Sequence, residues 1–332
     1  EIPVVLGEQD IIKVALLLPG VTTIGEGAAG FNVRGSPADQ NLFYIENTPV
    51  YNTSHLFGFF SAFNPDMIDN FTLYKGSIPA RYGGRLSSIF DISTKTGNKE
   101  HFSARGGISP ITARLMVEGP IIKNKVSYIA GIRSTYSDWV LQFVKDPEIR
   151  NSSAYFGDVV LGLDANVNMN NKLKLFGYYS EDRIKLTNST KYQFKNQGAS
   201  LEWMHGFKKK HDLNLSFVYS DYEFEEQNSE LEIAAYKQNY RLQHNQVNAD
   251  FNLRLSDKHN VNTGVSGILY ILDRGSHLPL NDLSNETPID FGNEKAIESA
   301  IYISDEWQVA PLITVLAGLR YNLYSYLGAQ TV

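Results

Sequence analysis

Apolar and polar residues alternate with a period of two along most of the chain after residue 101. In one segment Val159, Leu161 and Leu163 are apolar, whereas Asp158 and Asp164 have the opposite parity. Such alternation predicts β-strands with one apolar face and one face that meets water or polar side chains. These segments give eleven predicted antiparallel strands, at 101–108, 111–119, 125–134, 155–169, 172–181, 192–207, 211–222, 236–255, 259–272, 296–309 and 312–326.

Short turns and long connections alternate between the predicted strands. Tight turns are predicted at Lys123–Asn124, Asn170–Asn171, Lys208–Lys210, Ser256–Lys258 and Ala310–Pro311. Long connections are predicted near 134–154, 181–191, 221–235 and 273–296. Tight turns at one end and long loops at the other are typical of an outer-membrane β-barrel. A plugged barrel of that kind has about 22 strands, so the eleven predicted strands would form about half of its wall.

The alternative is a soluble β-sandwich or propeller, in which the apolar faces would form a shared core. The predicted strands are longer than the five or six residues usual in globular sheets, and Asn and Asp are frequent on their polar faces. No apolar run approaches the roughly 18 residues of a membrane-spanning helix. A membrane location would therefore require a barrel, because only helices and closed barrels satisfy every backbone polar group in lipid.

The first hundred residues have a different character. Residues 20–97 are polar and rich in glycine, and they predict a small α+β module. A short helix is predicted over 8–18, where first-turn acids suit the helix dipole and Pro19–Gly20 ends the helix. We divide the chain into residues 1–98, interpreted as a stopper, and residues 99–332, interpreted as the wall around it. Strands of the stopper are predicted at 41–45, 71–74 and 89–93.

This N-terminal part contains a dense set of short motifs. They are GFNVRG at 30–35, DQN at 39–41, PVYN at 49–52, HLFGFFS at 55–61, FNP at 63–65, YKG at 74–76 and PARYGGRLSS at 79–88. Together they resemble the plug domain of TonB-dependent outer-membrane transporters. The closest subtype is the Bacteroidetes group that usually carries a carboxypeptidase-regulatory-like domain ahead of the plug. One departure is Glu46–Asn47, where the family often has Asp-Gly; since Asn tolerates a left-handed backbone, the same turn is expected.

The resemblance implies a fold, a place and an activity. The fold is an antiparallel transmembrane β-barrel whose lumen is occluded by a small α+β plug, and the place is the bacterial outer membrane, in contact with its lipid. The activity is active import of a scarce or large solute, such as a small molecule, a glycan or a peptide. The resemblance implies the TonB-ExbB-ExbD complex as partner, acting through a segment ahead of Glu1. The alternative is a passive outer-membrane pore or surface-binding barrel without energy coupling, which would not need some eighty residues of plug.

The aromatic and polar segment 51–63 supplies the candidate ligand site. We interpret it as the plug apex that faces the ligand, and the alternative is a packed internal loop. The candidate ligand contacts are Tyr51, Asn52, His55, Phe57, Phe59 and Phe60.

Three plug arginines supply a candidate lock between plug and wall. By resemblance, Arg34, Arg81 and Arg85 would pair with barrel carboxylates, and strand parity offers Glu118 and Glu306 as partners, with Arg81–Glu118 as the pair to test. Such a pair adds little net stability because burial desolvates both charges. The alternative is that all three are ordinary surface arginines.

Composition and motifs exclude several other classes. The formal net charge of −6 argues against a nucleic-acid partner. The chain has no cysteine, and its seven histidines show no metal-binding spacing. The G-x-G-x-x-G motif at 25–30 lacks the strand and helix that a dinucleotide site requires. We expect no metal, no cofactor and no catalytic activity.

An acidic run lies in one of the predicted outer connections. Residues 221–232 contain six carboxylates. We interpret the run as a solvated loop, and the alternative is a patch that guides a cationic solute towards the lumen.

Overall fold

The computed structural model describes residues 4–5, 8–23, 30–187 and 189–330. Most strands belong to two sheets, a four-stranded sheet near the N-terminus and a large antiparallel sheet formed by the rest of the chain. The G-x-G-x-x-G motif at 25–30 lies, except for its last residue, outside the described residues.

Among the described residues of the N-terminal part there are ten short strands and one short α-helix. Helix α1 (Ile11–Ala15) is shorter than the predicted 8–18, because Asp10 caps it by accepting hydrogen bonds from the backbone N–H groups of Ile12 (2.9 Å) and Lys13 (3.1 Å). The strands are β1 (Val4–Val5), β2 (Glu8–Gln9), β3 (Val21–Thr23), β4 (Phe31–Val33), β5 (Asn41–Ile45), β6 (Thr48–Val50), β7 (Ser54–His55), β8 (Phe60–Ser61), β9 (Ile68–Tyr74) and β10 (Ser88–Thr94).

The four-stranded sheet has the order β6-β5-β10-β9 and contains the three strands predicted for the stopper. Strand β10 runs parallel to β5 and antiparallel to β9. Phe90 of β10 is fully buried, and its ring lies 5.2 Å from Phe71, 5.4 Å from Phe43 and 6.4 Å from Phe31, measured between ring centroids. These rings form the centre of the plug core.

The turn between β5 and β6 adopts the conformation expected from its sequence. Glu46 (φ 48°) and Asn47 (φ 60°) are both left-handed, as a two-residue type I′ hairpin requires. Glu is an unusual residue there, and its carboxylate is held in place. It accepts hydrogen bonds from the Thr94 backbone N–H at 2.5 Å and the Thr94 hydroxyl at 2.8 Å.

The large sheet contains the eleven predicted strands, each hydrogen-bonded to the next along the chain, plus one short extra strand. The prediction of an antiparallel barrel wall is therefore confirmed. The strands are β11 (Ser103–Ile108), β12 (Thr112–Ile122), β13 (Val126–Thr135), β14 (Ser153–Asn168), β15 (Asn171–Lys185), β16 (Thr190–Gly206), β17 (Asp212–Asn228), β18 (Tyr236–Arg254), β19 (His259–Pro279), β20 (Ile289–Asp290), β21 (Asn293–Ala310) and β22 (Ile313–Gln330).

The remaining helices lie in connections and are short. Helices α2 (Asp138–Leu141) and α3 (Pro147–Arg150) occupy the long connection between β13 and β14. Among the described residues, no helix is both long enough and apolar enough to cross a membrane. Single 3₁₀ turns occur at Ala38–Gln40, Leu56–Gly58, Pro65–Met67, Lys208–Lys210 and Glu232–Ala234.

Several strands extend further towards the long connections than predicted. Strand β17 continues to Asn228, so the first half of the acidic run is strand, and its interpretation as a solvated loop was wrong there. Its outward carboxylates are paired with cations of the neighbouring strands. The pairs are Asp221 with Arg241 at 2.6 Å, Glu223 with Lys195 at 3.7 Å and Glu225 with Lys237 at 2.8 Å.

The two faces of the wall differ as the alternation predicts. Val159, Leu161 and Phe217 belong to the apolar parity, and their side chains are exposed. Asp158 and Ser220 have the other parity, and they are buried against the N-terminal part. An apolar face exposed along its length is the arrangement of a barrel wall, and a sandwich would have buried it.

The wall is an open arc, with β11 and β22 at the two ends of its strand order. The four-stranded sheet and its loops lie on the concave side, where β6 contacts both β16 and β17 and the segment that follows β8 contacts β13. The N-terminal part thus occupies the lumen side of the wall, as predicted.

Removing the central ring of the plug core tests this packing. Phe90→Ala should lower the free energy of unfolding of the plug by about 3–5 kcal/mol, because it leaves a cavity beneath three aromatic rings. Urea-dependent hydrogen exchange of β5 and β10 in the full-length protein measures the change. Leu86→Ala, at a residue that is 87 % exposed, should change it by less than about 0.5 kcal/mol. Equal effects of the two substitutions would contradict the packing.

Candidate functional site

A buried set of four charged side chains attaches the plug to the wall. His55 of β7 is 1 % exposed, and its Nδ1 lies 2.7 Å from Asp182 Oδ2 of β15. Its Nε2 lies 3.5 Å from Asp158 Oδ2 of β14. Arg133 of β13 donates from Nε to the same Asp158 oxygen at 2.7 Å. The ring of His55 also stacks on Phe156, with 4.2 Å between the ring centroids.

The charges in this set balance only when His55 is protonated. Nδ1 is within hydrogen-bond distance of Asp182, Nε2 is in a longer ion-pair contact with Asp158, and only the imidazolium has a proton on both nitrogens. Burial disfavours the charged form, but Asp182 and then Asp158 outweigh burial, so the pKa of His55 is raised above its ordinary value. Two carboxylates then face two cations, and the buried set is neutral overall.

Two backbone groups within the plug apex also form hydrogen bonds to these charged side chains. The Leu56 N–H donates to Asp182 Oδ1 at 2.9 Å, and Arg133 Nη2 donates to the Ser61 carbonyl at 2.8 Å. The segment from Leu56 to Ser61 is therefore held at each end by a wall strand.

Further charged contacts continue the attachment along neighbouring strands. Arg114 of β12 donates to Asp66 Oδ2 at 2.7 Å, and Lys174 of β15 lies 2.6 Å from Glu46 Oε2. The Asn47 amide donates to Glu202 of β16 at 2.7 Å. Each contact joins an inward side chain of the wall to a turn or loop of the plug.

Neutral hydrogen bonds attach the plug to strands further along the arc. Asn196 of β16 bonds both the N–H and the carbonyl of Asn52, at 3.3 Å each. The Tyr51 hydroxyl lies 3.0 Å from His244 Nδ1, and His244 Nε2 lies 2.7 Å from the Gln246 amide oxygen. Since Nε2 must donate to that oxygen, Nδ1 accepts from Tyr51. Burial raises the pKa of the Tyr51 hydroxyl, so it keeps its proton.

Two glycines of the wall allow the plug to approach closely. A Cβ at Gly198 of β16 would lie 2.5 Å from Thr48 Cγ2, and one at Gly131 of β13 would lie 2.4 Å from Met67 Sδ. Both distances are shorter than real Cβ contacts, so the plug packs against bare backbone at these points.

The arginine lock predicted from the sequence has a different arrangement in the structure. Arg81 lies 3.2 Å from Asp91 Oδ2, which belongs to the plug itself, so the specific pairing of Arg81 with Glu118 was wrong. Glu118 accepts from the Asn98 backbone N–H at 2.9 Å. Strand register explains the difference, because it places Glu118 opposite Ser103, beside the chain that leaves the plug.

The other members of the predicted lock are also placed differently. The guanidinium of Arg34 lies beside Gly76 within the plug, and Arg85 donates to the Gly84 carbonyl at 2.8 Å. Arg85 lines a cavity of about 110 Å³ together with Glu298 of β21. Glu306 is exposed near the other end of β21. Instead, Arg320 of β22 reaches the plug and donates to the Arg81 carbonyl at 2.8 Å.

The six predicted ligand residues separate into two groups. Tyr51, Asn52 and His55 attach the plug to the wall, as described above, and His55 is too buried for a ligand to reach. Phe57, Phe59 and Phe60 line a cavity of about 770 Å³ between the plug apex and the long connection after β13. Of the six residues, only the three phenylalanines therefore remain candidate ligand contacts.

The backbone that presents these rings is unusual. Leu56 (φ 50°) and Phe57 (φ 56°) are consecutive left-handed residues that are not glycine. Each such residue is strained by about 1–3 kcal/mol and persists only where its surroundings fix it. The anchors at Asp182 and Arg133 supply that constraint.

Comparison with known families identifies the chain. A family model described as the TonB-dependent receptor plug domain matches residues 5–88, and one described as TonB-dependent receptor-like β-barrel matches residues 135–331. The chain belongs to the TonB-dependent receptors. This is a family of outer-membrane transporters and receptors rather than of enzymes, so the chain is assigned to the bacterial outer membrane.

Solved structures of this family have the same fold. The copper transporter OprC matches with a TM-score of 0.72 and 12 % identity, over 94 % of this chain and 51 % of that protein. The ferric enterobactin receptor PfeA of Pseudomonas aeruginosa matches with a TM-score of 0.66 and 15 % identity, over 95 % and 55 %. The siderophore receptor PirA of Acinetobacter baumannii matches with a TM-score of 0.67 and 14 % identity, over 95 % and 54 %.

The chain thus spans about half the length of the solved structures that it matches. At these identities the likeness concerns the fold. A comparison with curated protein sequences found no match.

The raised pKa of His55 predicts how the plug attachment of the receptor depends on pH. An ion pair that raises a histidine pKa stabilises fully below the ordinary value of about 6.5 and is lost as the pH rises through the raised value. The urea concentration that opens the full-length receptor to ions should therefore fall as the pH rises through the raised pKa of His55, above about 6.5. His55→Gln should remove this dependence, whereas His277→Gln, at the outer end of β19, should keep it. A plug attachment that becomes weaker when the pH is lowered from 8 to 6 would contradict the assignment of the charged form to His55.

Removing Arg133 should weaken the attachment strongly. Arg133→Ala removes the donor to the Ser61 carbonyl and leaves Asp158 with only the longer, 3.5 Å contact to His55. We expect a loss of about 3–5 kcal/mol in the free energy of plug displacement. Arg183→Ala is the matched control, since Arg183 pairs with Glu181 on the exposed outer face; its loss should stay within about 1 kcal/mol. The urea concentration at which each variant begins to conduct ions measures both losses. Similar losses would show that the buried set does not hold the plug.

Proposed function

We propose that the receptor is an active outer-membrane transporter that imports a scarce or large solute. Residues 1–98 act as the plug that closes the lumen, and residues 99–332 act as part of the wall. One observation carries this proposal. The plug lies on the concave side of the wall and is attached through polar side chains of β12 to β18 and β22.

Polar attachment suits a plug that must shift during transport. Hydrogen bonds and ion pairs to the wall can be exchanged for bonds to water, so displacement loses little when water follows the plug. An apolar interface of the same area would expose its surface to water at about 25 cal/mol per Å². The charges of His55, Asp158, Asp182 and Arg133 are almost fully buried, so we expect them to contribute most to the work that displacement needs.

Energy for this displacement would come from the TonB-ExbB-ExbD complex. By family resemblance, the complex pulls on a segment ahead of Glu1. A pull on the chain ahead of α1 reaches the plug core through Ile11 and Ala15, which are buried in the same cluster as Phe31 and Phe90. The force would therefore act on the folded core before it reaches the wall contacts.

The plug apex gives ligand binding a route to the attachment. A ligand in the cavity contacts Phe57, Phe59 and Phe60, and these residues lie between the two anchored backbone groups at Leu56 and Ser61. A shift of the rings on binding would act directly on the hydrogen bonds to Asp182 and Arg133. A ligand bound in this cavity, on the outer side of the plug, can thus weaken or strengthen the contacts that hold the plug.

The motifs of the plug support a finer assignment. We propose that the receptor is of the Bacteroidetes type and that a carboxypeptidase-regulatory-like domain precedes the plug in the full-length protein. The supporting residues are the runs at 30–35, 55–61 and 79–88. The coding sequence upstream of Glu1 tests this, and an uninterrupted signal peptide directly before the plug would contradict it.

Ion conductance and energy dependence test the transport proposal together. The full-length receptor in a planar bilayer should show almost no steady conductance, and deletion of residues 1–98 should open large steady channels. In cells, import of the solute that induces the receptor should stop when TonB is deleted. Large steady conductance of the intact receptor, or import that continues without TonB, would instead indicate the passive pore.

A further inference from the structure

The cavity at the plug apex differs from the rest of the lumen in its chemistry. Its floor is formed by Leu56, Phe57, Phe59 and Phe60 of the plug. Its walls and roof are aliphatic, and they come from the first outer connections and the outer end of β15. The residues are Ile111, Val140, Leu141, Ile149, Ile184 and Leu186.

Charge is almost absent from this cavity. Among the lining residues that the structure describes, Glu230 is the only ionisable side chain, and the other polar groups are hydroxyls such as those of Ser137 and Thr187. An anionic ligand buried here would lack cationic partners, and a buried unpaired charge is strongly unfavourable. The lining therefore selects against anions and favours an uncharged apolar group.

Strand β15 separates the cations from the cavity. Ile184 is buried and lines the cavity, whereas its neighbours Arg183 and Lys185 are exposed on the opposite face of the strand. Those two side chains and Lys191 line a separate pocket of about 560 Å³ on the outer surface. Positive charge is thus present at this height of the wall but points away from the lumen.

The aromatic rings of the apex are held ready for contact. Phe57 is 45 % exposed and Phe59 is 56 % exposed, although the backbone at Leu56 and Phe57 is strained to place them there. Phe57 is supported edge-on by Tyr192 and Phe194 of β16, with ring centroids 5.5 and 6.0 Å away. Exposed, braced aromatic rings at a strained turn are typical of a preformed binding surface.

We propose that the solute presents an uncharged apolar group, aromatic or aliphatic, to this cavity. This inference rests on the proposed transport function and names the class of its substrate. The volume of about 770 Å³ is in the range of sites that enclose a whole small molecule or a large part of one. The remainder of a larger solute would extend past Glu230 towards the outside.

A pair of probes that differ by one sulfonate group tests this inference. N-phenyl-1-naphthylamine is uncharged, and 1-anilinonaphthalene-8-sulfonate has the same rings with an added sulfonate. Binding to the full-length receptor is followed by energy transfer from Trp139, which belongs to α2 beside the cavity residues Val140 and Leu141. The part of the energy-transfer signal that is absent in Trp139→Phe reports probe bound at this site, as distinct from probe dissolved in detergent.

The uncharged probe should bind at least about tenfold more tightly than the anionic one. Phe57→Ala and Phe59→Ala should each weaken the uncharged probe about tenfold, equivalent to about 1.4 kcal/mol. Leu283→Ala is the control, since Leu283 lies in another outer connection, is exposed and is not among the residues that line the cavity; it should change binding less than twofold. Leu186→Arg should reverse the preference towards the anion.

Equal or tighter binding of the anionic probe, or binding unchanged by Phe57→Ala and Phe59→Ala, would overturn the inference. These measurements need no energised membrane, so they are independent of TonB. If the receptor binds the uncharged probe as expected but imports its solute without TonB, the inferred ligand class stands and the proposal of TonB-dependent transport is wrong.

Discussion

The structure depends on one buried electrostatic balance between plug and wall. Arg133 and Asp158 belong to adjacent wall strands, Asp182 belongs to the next strand, and His55 comes from the plug. None of these charges is tolerable alone in a dry interface, because an unpaired buried charge is strongly unfavourable. The buried charges of the wall therefore have all their partners only when the plug is in place, and the plug apex is ordered only when the wall holds it.

This balance helps to explain why the wall is polar on its inner face and apolar on its outer face, the reverse of a water-soluble protein. The outer face of each strand is apolar over the height that meets lipid, while the inner face is polar because it bonds to the turns and loops of the plug. Beyond that height the outer face becomes charged, and pairs such as Asp221 with Arg241 allow the strands to continue past the membrane. The same strands thus serve lipid, plug and aqueous exterior at different positions along their length.

Much of the architecture follows from the sequence because it depends on local patterns. Alternation predicted the eleven wall strands, and turn residues such as Lys123–Asn124 marked one end of the barrel. The outer ends of β15, β17 and β19 were missed, because alternation of apolar residues stops where the outward face becomes charged. Acids at 221, 223 and 225 have the same parity, and they pair with cations at 241, 195 and 237 of the neighbouring strands. That pattern was the signal that the strand continued.

The attachment of the plug could not be predicted in the same way. Strand parity placed Asp158 on the polar face, but His55 and Asp182 are 127 residues apart in sequence, and only the register of the closed interface brings them together. Resemblance directed attention to arginines of the plug, whereas the buried arginine belongs to the wall. The aromatic apex was predictable from its composition, although its separation into anchors and candidate ligand contacts depended on the backbone at Leu56 and Phe57.

The seating of the plug on the inner face is most directly tested by disulfide crosslinking in this cysteine-free chain. Asn52 contacts the inward Asn196, while the next residue, Gln197, points outward to Asp221. In outer membranes carrying the full-length receptor, we expect Asn52→Cys to crosslink with Asn196→Cys under mild oxidation and not with Gln197→Cys. A crosslink to position 197, or none at either position, would contradict a plug seated inside the wall.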